Sequence, residues 1–90
     1  MSESSNNRRA VRLPEGVDLH ARPAGALVRA AAAFRATITL SAGEKCADAK
    51  SILQVLALGA TGGSEIAVAA SGSDASEALE AISGLLTTLS

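Results

Sequence analysis

A single aromatic residue, Phe34, limits what the core of this chain can be made of. Of the 90 residues 48% are apolar, but none is Trp or Tyr, so the core must be assembled from Ala, Val, Leu and Ile. A chain of this length makes one domain with a modest core. Because aromatic side chains for stacking on bases are scarce and the net charge is −1, we expect no nucleic-acid partner.

The period of the hydrophobic pattern predicts both the elements and their order. Two-residue alternation predicts strands over residues 11–13, 37–40, 45–49 and 65–70. Helical spacing predicts helices over residues 21–34, 51–58 and 75–89. The order β-α-β-β-α-β-α predicts an α+β fold, in which three helices cover one face of a four-stranded antiparallel sheet. Thr37, Thr39 and Glu65 are expected on the opposite, solvated face.

The N-terminal segment and the small number of cysteine and histidine residues narrow the class of protein. Residues 1–8 are polar and are predicted to be a disordered lead-in to a single domain over residues 9–90. The lead-in lacks the apolar centre of a signal peptide, and no apolar stretch is long enough to span a bilayer. One cysteine, Cys46, and one histidine, His20, exclude an internal disulfide and a Cys/His zinc site. We expect a cytoplasmic protein without membrane insertion, metal or cofactor.

His20 stands immediately before the predicted first helix, in the stretch LHARPAG. The first amides of a helix lack partners and carry partial positive charge, so an anion is stabilised there. Arg22 adds a guanidinium suited to bidentate phosphate contact, and a neutral imidazole nitrogen is a competent nucleophile near neutral pH. These features favour a histidine that carries a phosphoryl group. An exposed polar helix cap is the alternative, and the local chemistry alone leaves both readings open.

The second predicted helix begins with a serine and is apolar on nearly every side. Ser51 and Gln54 have the S-x-x-Q spacing of a capping box, and Gly59 suits the left-handed position after the helix. Between them Gln54 is the one polar side chain, so some apolar surface must face water. Exposed apolar patches mark interaction sites, and Leu53 and Leu56 are predicted to form this one.

Three stretches together carry a resemblance to a known family. LHARPAG, KSILQVLALGATGGSEIAV and SGSDASEALEAI resemble, in order and without large gaps, the HPr family. HPr is the histidine-containing phosphocarrier of the phosphoenolpyruvate-dependent sugar phosphotransferase system. The resemblance runs from about Val11 to the C-terminus, and the family's fold, an open-faced β-sandwich, agrees with the predicted element order.

The resemblance implies a role for each residue of the motif. His20 would accept a phosphoryl group through Nδ1 from phosphorylated enzyme I and pass it to a sugar-specific IIA domain. Arg22 would stabilise the phosphate, and Ala21 and Pro23 would contact partners. The chain would then be a covalent carrier for sugar uptake, not an enzyme, and we expect it to act as a monomer.

The resemblance also bears on the second helix. In many relatives of one bacterial group, a serine matching Ser51 is phosphorylated by a dedicated HPr kinase, which makes that kinase a further candidate partner. Leu53 and Leu56 fall on the family's docking surface. Two residues depart from the family: Asp18 and Gln54 stand where it commonly has glycine. The charge of Asp18 concerns partner choice more than phosphorylation.

Two other functions remain open at this point. One is a phosphocarrier that serves a regulatory relay instead of sugar uptake. The other is a βαββαβ ligand-sensing domain in which His20 is an ordinary cap, and it predicts a small-molecule pocket and indifference to phosphoenolpyruvate. Neither the sugar nor the IIA partner is specified by the sequence.

Overall fold

Seven elements form in the predicted order over residues 7–89, the part of the chain that the computed structural model describes. The strands are β1 (Arg8–Arg12), β2 (Thr37–Ala42), β3 (Lys45–Asp48) and β4 (Glu65–Ser71). The helices are α1 (Ala21–Ala32), α2 (Ile52–Leu58) and α3 (Ala75–Thr88). Each helix begins where the sequence pattern predicts, to within one residue.

The first strand begins inside the segment that the sequence assigned to the lead-in. Arg8 pairs with Ala69 of β4, so it belongs to the sheet. Residues 1–6 of the predicted disordered lead-in lie outside the described residues, as does Ser90.

The four strands form one antiparallel sheet in the order β1-β4-β2-β3. Its two central strands are in register with Leu40 opposite Val68 and Ile38 opposite Ala70, and all four side chains are buried. Thr37 and Glu65 are exposed and Thr39 is half-buried, as expected for the solvated face. The predicted α+β fold, an open sheet with helices on one face, is confirmed.

The core is aliphatic, as the shortage of aromatic residues requires. Its largest fully buried side chains come from the sheet, the helices and the β1–α1 connection: Leu13, Leu19, Leu27, Ile38, Leu40, Val55, Ile66, Val68, Ile82 and Leu86. Phe34 packs only at the edge of this cluster. Buried aliphatic surface is therefore the main source of stability.

The α1–β2 connection is fastened to the start of α3 by Asp74. Its carboxylate accepts the backbone N–H groups of Arg35 at 2.9 Å and Ala36 at 2.8 Å. The hydrogen bond from Arg35, with that from Ala36 and the charge of Lys50, holds the pKa of Asp74 below its ordinary value of 3.8, against the opposing effect of desolvation. Lys50 Nζ also donates to the carbonyl of Phe34 at 2.7 Å. The α1–β2 connection is thus held in place by two charged side chains, those of Asp74 and Lys50.

Candidate functional site

His20 is the N-cap residue of α1, and its side chain points into solvent. Its carbonyl accepts the amide of Ala24 at 2.8 Å, which is the first hydrogen bond of the helix. The backbone is extended (φ −95°, ψ −158°), but the imidazole makes no capping hydrogen bond and its side chain is 82% exposed. A histidine retained as a side-chain cap would donate or accept at the helix end. This geometry favours a ring held out for contact with another molecule.

The segment that precedes His20 is anchored on the loop after α2. Leu19 is buried, and its amide donates to the carbonyl of Ala60 at 3.0 Å. Nearer to β1, Leu13 exchanges two hydrogen bonds of 2.9 Å with Ser64 and Gly63. These contacts join the β1–α1 loop to the α2–β4 loop, so the exposed imidazole stands on a fixed backbone.

Gly62 is required where the two loops cross. A Cβ atom at this position would lie 2.6 Å from the amide nitrogen of Gly16 and 2.9 Å from the carbonyl oxygen of Pro14. Both neighbours are backbone atoms, so the loops would have to separate to accept any side chain. Nothing in the sequence pattern around Gly62 indicates this close approach.

The start of α1 offers several donors to an anion. The amides of Ala21 and Arg22 precede the first helical hydrogen bond and lack intrahelical partners. Pro23, the third residue of the helix, occupies a position whose amide would have had no partner. The Arg22 side chain is exposed and makes no hydrogen bond or ion pair within residues 7–89. Two free amides and the positive end of the helix dipole thus follow His20 directly, and the exposed guanidinium belongs to the second residue after it, which suits a phosphoryl group.

Asp18 is the acidic neighbour of His20. Its Oδ1 accepts the amide of Gly62 at 2.9 Å, and its Oδ2 lies 3.8 Å from Nε2 of His20. The sequence identified Asp18 only as a departure from the resembled family. Its contact with Gly62 joins residues 44 positions apart, so no local pattern could have indicated it.

Ser51 is the N-cap of α2, as predicted. Its Oγ accepts the amide of Gln54 at 3.3 Å, and Gly59 ends the helix in the left-handed conformation with φ 67°. The reciprocal half of the predicted capping box is wrong. Gln54 Oε1 accepts the amide of Asp48 at 2.8 Å, while the Ser51 amide donates to the Asp48 carbonyl at 3.0 Å. The glutamine therefore satisfies the end of β3, because Ser51 already has a backbone acceptor.

Three large apolar side chains of α2 are exposed, and we call them the apolar patch: Ile52, Leu53 and Leu56. Leu53 is 76% exposed, and the other two are 38% exposed each. The helix is held to the core by its opposite side, through Val55 and Leu58. The predicted exposure of Leu53 and Leu56 is confirmed. Ile52 is the member that the sequence interpretation missed, although its spacing of four residues from Leu56 places both on one helix face.

The sequence-predicted site residues fall into two groups on helices that contact each other. His20, Ala21, Arg22 and Pro23 are consecutive at the start of α1. Ser51, Leu53 and Leu56 belong to α2, which packs against α1. Within residues 7–89 no cluster of three His, Cys, Asp or Glu side chains is placed to hold a metal ion. No helix in the same range is both long and apolar enough to cross a bilayer.

The sequence of this chain matches a known protein family. A family model described as "PTS HPr component phosphorylation site" matches residues 7–88, nearly the whole chain. The chain belongs to the HPr family. The structural unit that the family model covers includes both groups of site residues, and the resemblance stated from the three sequence stretches is confirmed.

Known HPr proteins share both sequence and fold with this chain. It is 43% identical to the phosphocarrier protein HPr of Mycoplasma capricolum over 70 residues, which are 78% of this chain and 79% of that one. The crystal structure of HPr from Bacillus anthracis superposes with a TM-score of 0.85 at 36% identity, covering 89% of this chain and 95% of that one. An HPr dimer from Thermoanaerobacter tengcongensis is similar at a TM-score of 0.70 and 33% identity, covering 83% and 86%. This chain is thus an HPr-type phosphocarrier by family.

Proposed function

We propose that His20 accepts a phosphoryl group from phosphorylated enzyme I and passes it to IIA domains, as part of sugar uptake and phosphorylation. One observation supports this most strongly: the His20 side chain is 82% exposed at the start of α1, with no capping role and with Arg22 beside it. An imidazole used for structure would be buried or bonded. An imidazole used for transfer must reach the phosphorus atom of the donor and then present its own phosphoryl group to the acceptor.

The transfer itself needs little from the carrier beyond a nucleophile and an anion site. The lone pair of Nδ1 forms a bond to phosphorus, and the bond from phosphorus to the donor group breaks with its electron pair returning to the donor. Charge on the phosphoryl oxygens is stabilised by the Arg22 guanidinium and by the amides at the start of α1. In the second transfer a nucleophile of the IIA domain forms a bond to phosphorus, and the N–P bond breaks with its electron pair returning to Nδ1. The chain is regenerated unchanged, and it acts as a carrier and not as an enzyme on a free substrate.

Docking is proposed to use the apolar patch together with Ala21 and Pro23. The apolar patch lies on α2, which contacts α1, and partner surfaces that bury it gain apolar contact close to the transferred group. Because the same imidazole must reach enzyme I and the IIA domain, both partners are expected to cover overlapping surface. Transfer then requires that the first partner leave before the second one binds.

Ser51 is proposed as a regulatory site for an HPr kinase. Its hydroxyl borders the apolar patch, since Ile52 is the next residue. A phosphate there would add about −1.5 to −2 charge units beside surface that must be desolvated on docking. Modification would therefore lower docking without changing His20.

A ligand-sensing domain is less well supported than a carrier. Such a domain needs a concave, largely enclosed pocket. The three larger depressions among residues 7–89 are instead open to solvent: one lies across the exposed sheet face, one between the β2–β3 turn and the end of α2, and one between β3 and α2. A regulatory relay would use the same chemistry at His20 and would differ only in the acceptor. The identity of the protein that receives the phosphoryl group therefore distinguishes a regulatory relay from sugar uptake.

The carrier function is tested by following labelled phosphate through the three components. The chain is incubated with enzyme I and labelled phosphoenolpyruvate, separated, and then mixed with a IIA domain. We expect label in the chain only when enzyme I is present, followed by its loss to the IIA domain. No labelling by active enzyme I would contradict the proposal. Labelling without transfer to any IIA domain would contradict the role in sugar uptake and favour a regulatory relay.

Two further parts of the proposal concern the state of the protein in the cell. We propose that it works in the cytoplasm, where phosphoenolpyruvate is available, and as a monomer. Light scattering over a range of concentrations tests the second point. A mass of one chain is expected, and a constant mass of two chains would favour a dimer such as that of the Thermoanaerobacter relative.

A further inference from the structure

The carboxylate of Asp18 is oriented by one contact and faces His20 with its other oxygen. Oδ1 accepts the amide of Gly62 at 2.9 Å, and Oδ2 lies 3.8 Å from Nε2 of His20. The two residues are also joined through the backbone, because the amide of His20 donates to the carbonyl of Asp18 at 2.8 Å. The carboxylate and the ring therefore belong to one closed turn, and Gly62 determines which oxygen is left for the ring.

This arrangement distinguishes the two ring nitrogens. At 3.8 Å the two atoms are beyond hydrogen-bond distance, so the carboxylate acts through its negative charge. That charge favours the form of the ring in which the facing nitrogen carries the proton. That nitrogen is Nε2, and the neutral ring then has its lone pair on Nδ1. In hydrolytic triads and around metal ligands a carboxylate also selects the tautomer of a histidine, there by accepting a hydrogen bond from the ring.

We propose that Asp18 is a positioning residue that holds neutral His20 as the Nε2–H tautomer and so presents Nδ1 as the nucleophile. Its effect on transfer rests on the proposed carrier function, whereas the tautomer does not. When Nδ1 attacks phosphorus, the proton on Nε2 stays in place and the ring becomes cationic. Asp18 offsets that charge, and when the N–P bond breaks the electron pair returns to Nδ1 with no proton moved.

The size of the effect is limited by exposure. The side chains of His20 and Asp18 are 82% and 45% exposed, so water competes for both groups and salt screens their attraction. An exposed pair of this kind corresponds to a change of about threefold to fivefold in rate, and not to the large losses seen when a buried triad residue is removed.

Asp18→Asn is the most informative substitution because it retains the shape of the side chain. Its Oδ1 still accepts the amide of Gly62, which directs the new amide group toward Nε2. An amide N–H group presents positive charge where the carboxylate presented negative charge, and it therefore favours the tautomer with the proton on Nδ1. Glu15→Gln is the matched control, since it removes the same charge from the same exposed loop.

The experiment combines a spectroscopic readout with a rate. Long-range proton–nitrogen spectra of the labelled protein, recorded at a pH where the ring is neutral, report which nitrogen of His20 carries the proton. We expect Nε2–H in the wild type and in Glu15→Gln, and a shift toward Nδ1–H in Asp18→Asn. The initial rate of labelling by enzyme I should fall about threefold to fivefold in Asp18→Asn alone, and the gap should narrow with added salt.

The two proposals fail in different ways. If Asp18→Asn leaves both the tautomer and the rate at wild-type values, Asp18 is only a link to Gly62 and the inference is overturned. Melting temperatures and spectra recorded well below the melting transition separate this result from loss of the fold. If the tautomer shifts as expected but no form of the chain is labelled by enzyme I, the positioning role is supported and the carrier function is rejected.

Discussion

Ser51 Oγ accepts the backbone amide of Gln54 at 3.3 Å, so one hydroxyl both begins α2 and borders the apolar patch that starts at Ile52. The cap predicts a stability effect. Ser51→Ala should lower the free energy of unfolding by about 1 kcal/mol, whereas Ser51→Asp should be nearly neutral because aspartate caps as well as serine. Denaturant unfolding of both variants measures this. Equal stability of the alanine variant and the wild type would show that the hydrogen bond contributes nothing.

The same pair of variants tests whether Ser51 regulates docking. Ser51→Asp should slow labelling by enzyme I although its stability is retained, because its carboxylate must be desolvated when the apolar patch is covered. Added salt should restore the rate only in part, since a charge buried on docking is poorly screened. A wild-type labelling rate in the aspartate variant would reduce Ser51 to a helix cap.

Substitutions of three leucines of α2 distinguish effects on docking from effects on stability. Leu53→Ala and Leu56→Ala should change stability by less than about 1 kcal/mol, since the patch is exposed, but should weaken binding to enzyme I by about 1 kcal/mol or more. Leu58→Ala is the matched control: its side chain is 5% exposed, and the substitution should cost about 2–5 kcal/mol of stability. Calorimetric titration with enzyme I and thermal melts give the two values. Unchanged binding in both patch variants would place the docking surface elsewhere.

Arg22 should affect transfer and not folding, because its side chain is exposed at the start of α1. Arg22→Ala should slow labelling by roughly tenfold, the loss of one charge-assisted hydrogen bond. Arg22→Lys should lie between, since lysine keeps the charge without the planar fork. Rapid-quench labelling and melting temperatures of the three proteins provide the comparison. Identical rates in all three would make the arginine a surface charge with no part in transfer.

Asp74 predicts how stability depends on pH. Its pKa is lower in the folded protein than its ordinary value of 3.8, so its contribution is fully present above that value and is lost as pH falls through the folded pKa. Asp74→Asn should therefore melt below the wild type at pH 7, and the two melting temperatures should converge below about pH 4. Glu77→Gln at the same end of α3 is the control. A constant gap down to pH 2 would show that the carboxylate is not the source of the difference.

The sequence predicted best what depends on local pattern and worst what depends on contact between loops. Hydrophobic period and helix signals located α1, α2 and α3, and the LHARPAG stretch made His20 and Arg22 the candidate site residues. The actual hydrogen-bond partners of Gln54 Oε1 and of the Ser51 amide could not be predicted, because both are backbone groups of Asp48, at the end of β3. The hydrogen bond between Asp18 and Gly62 could not be predicted either, because these residues are 44 positions apart and meet only where the β1–α1 and α2–β4 loops cross.

The central claim is that His20 carries the phosphoryl group, and locating the phosphate tests it most directly. Wild type, His20→Ala and Ser51→Ala are each incubated with enzyme I and labelled phosphoenolpyruvate, and the products are exposed to acid and to alkali. We expect one phosphate per chain that is lost in acid and stable in alkali, present in Ser51→Ala and absent from His20→Ala. An acid-stable phosphate, or undiminished labelling of His20→Ala, would contradict the account.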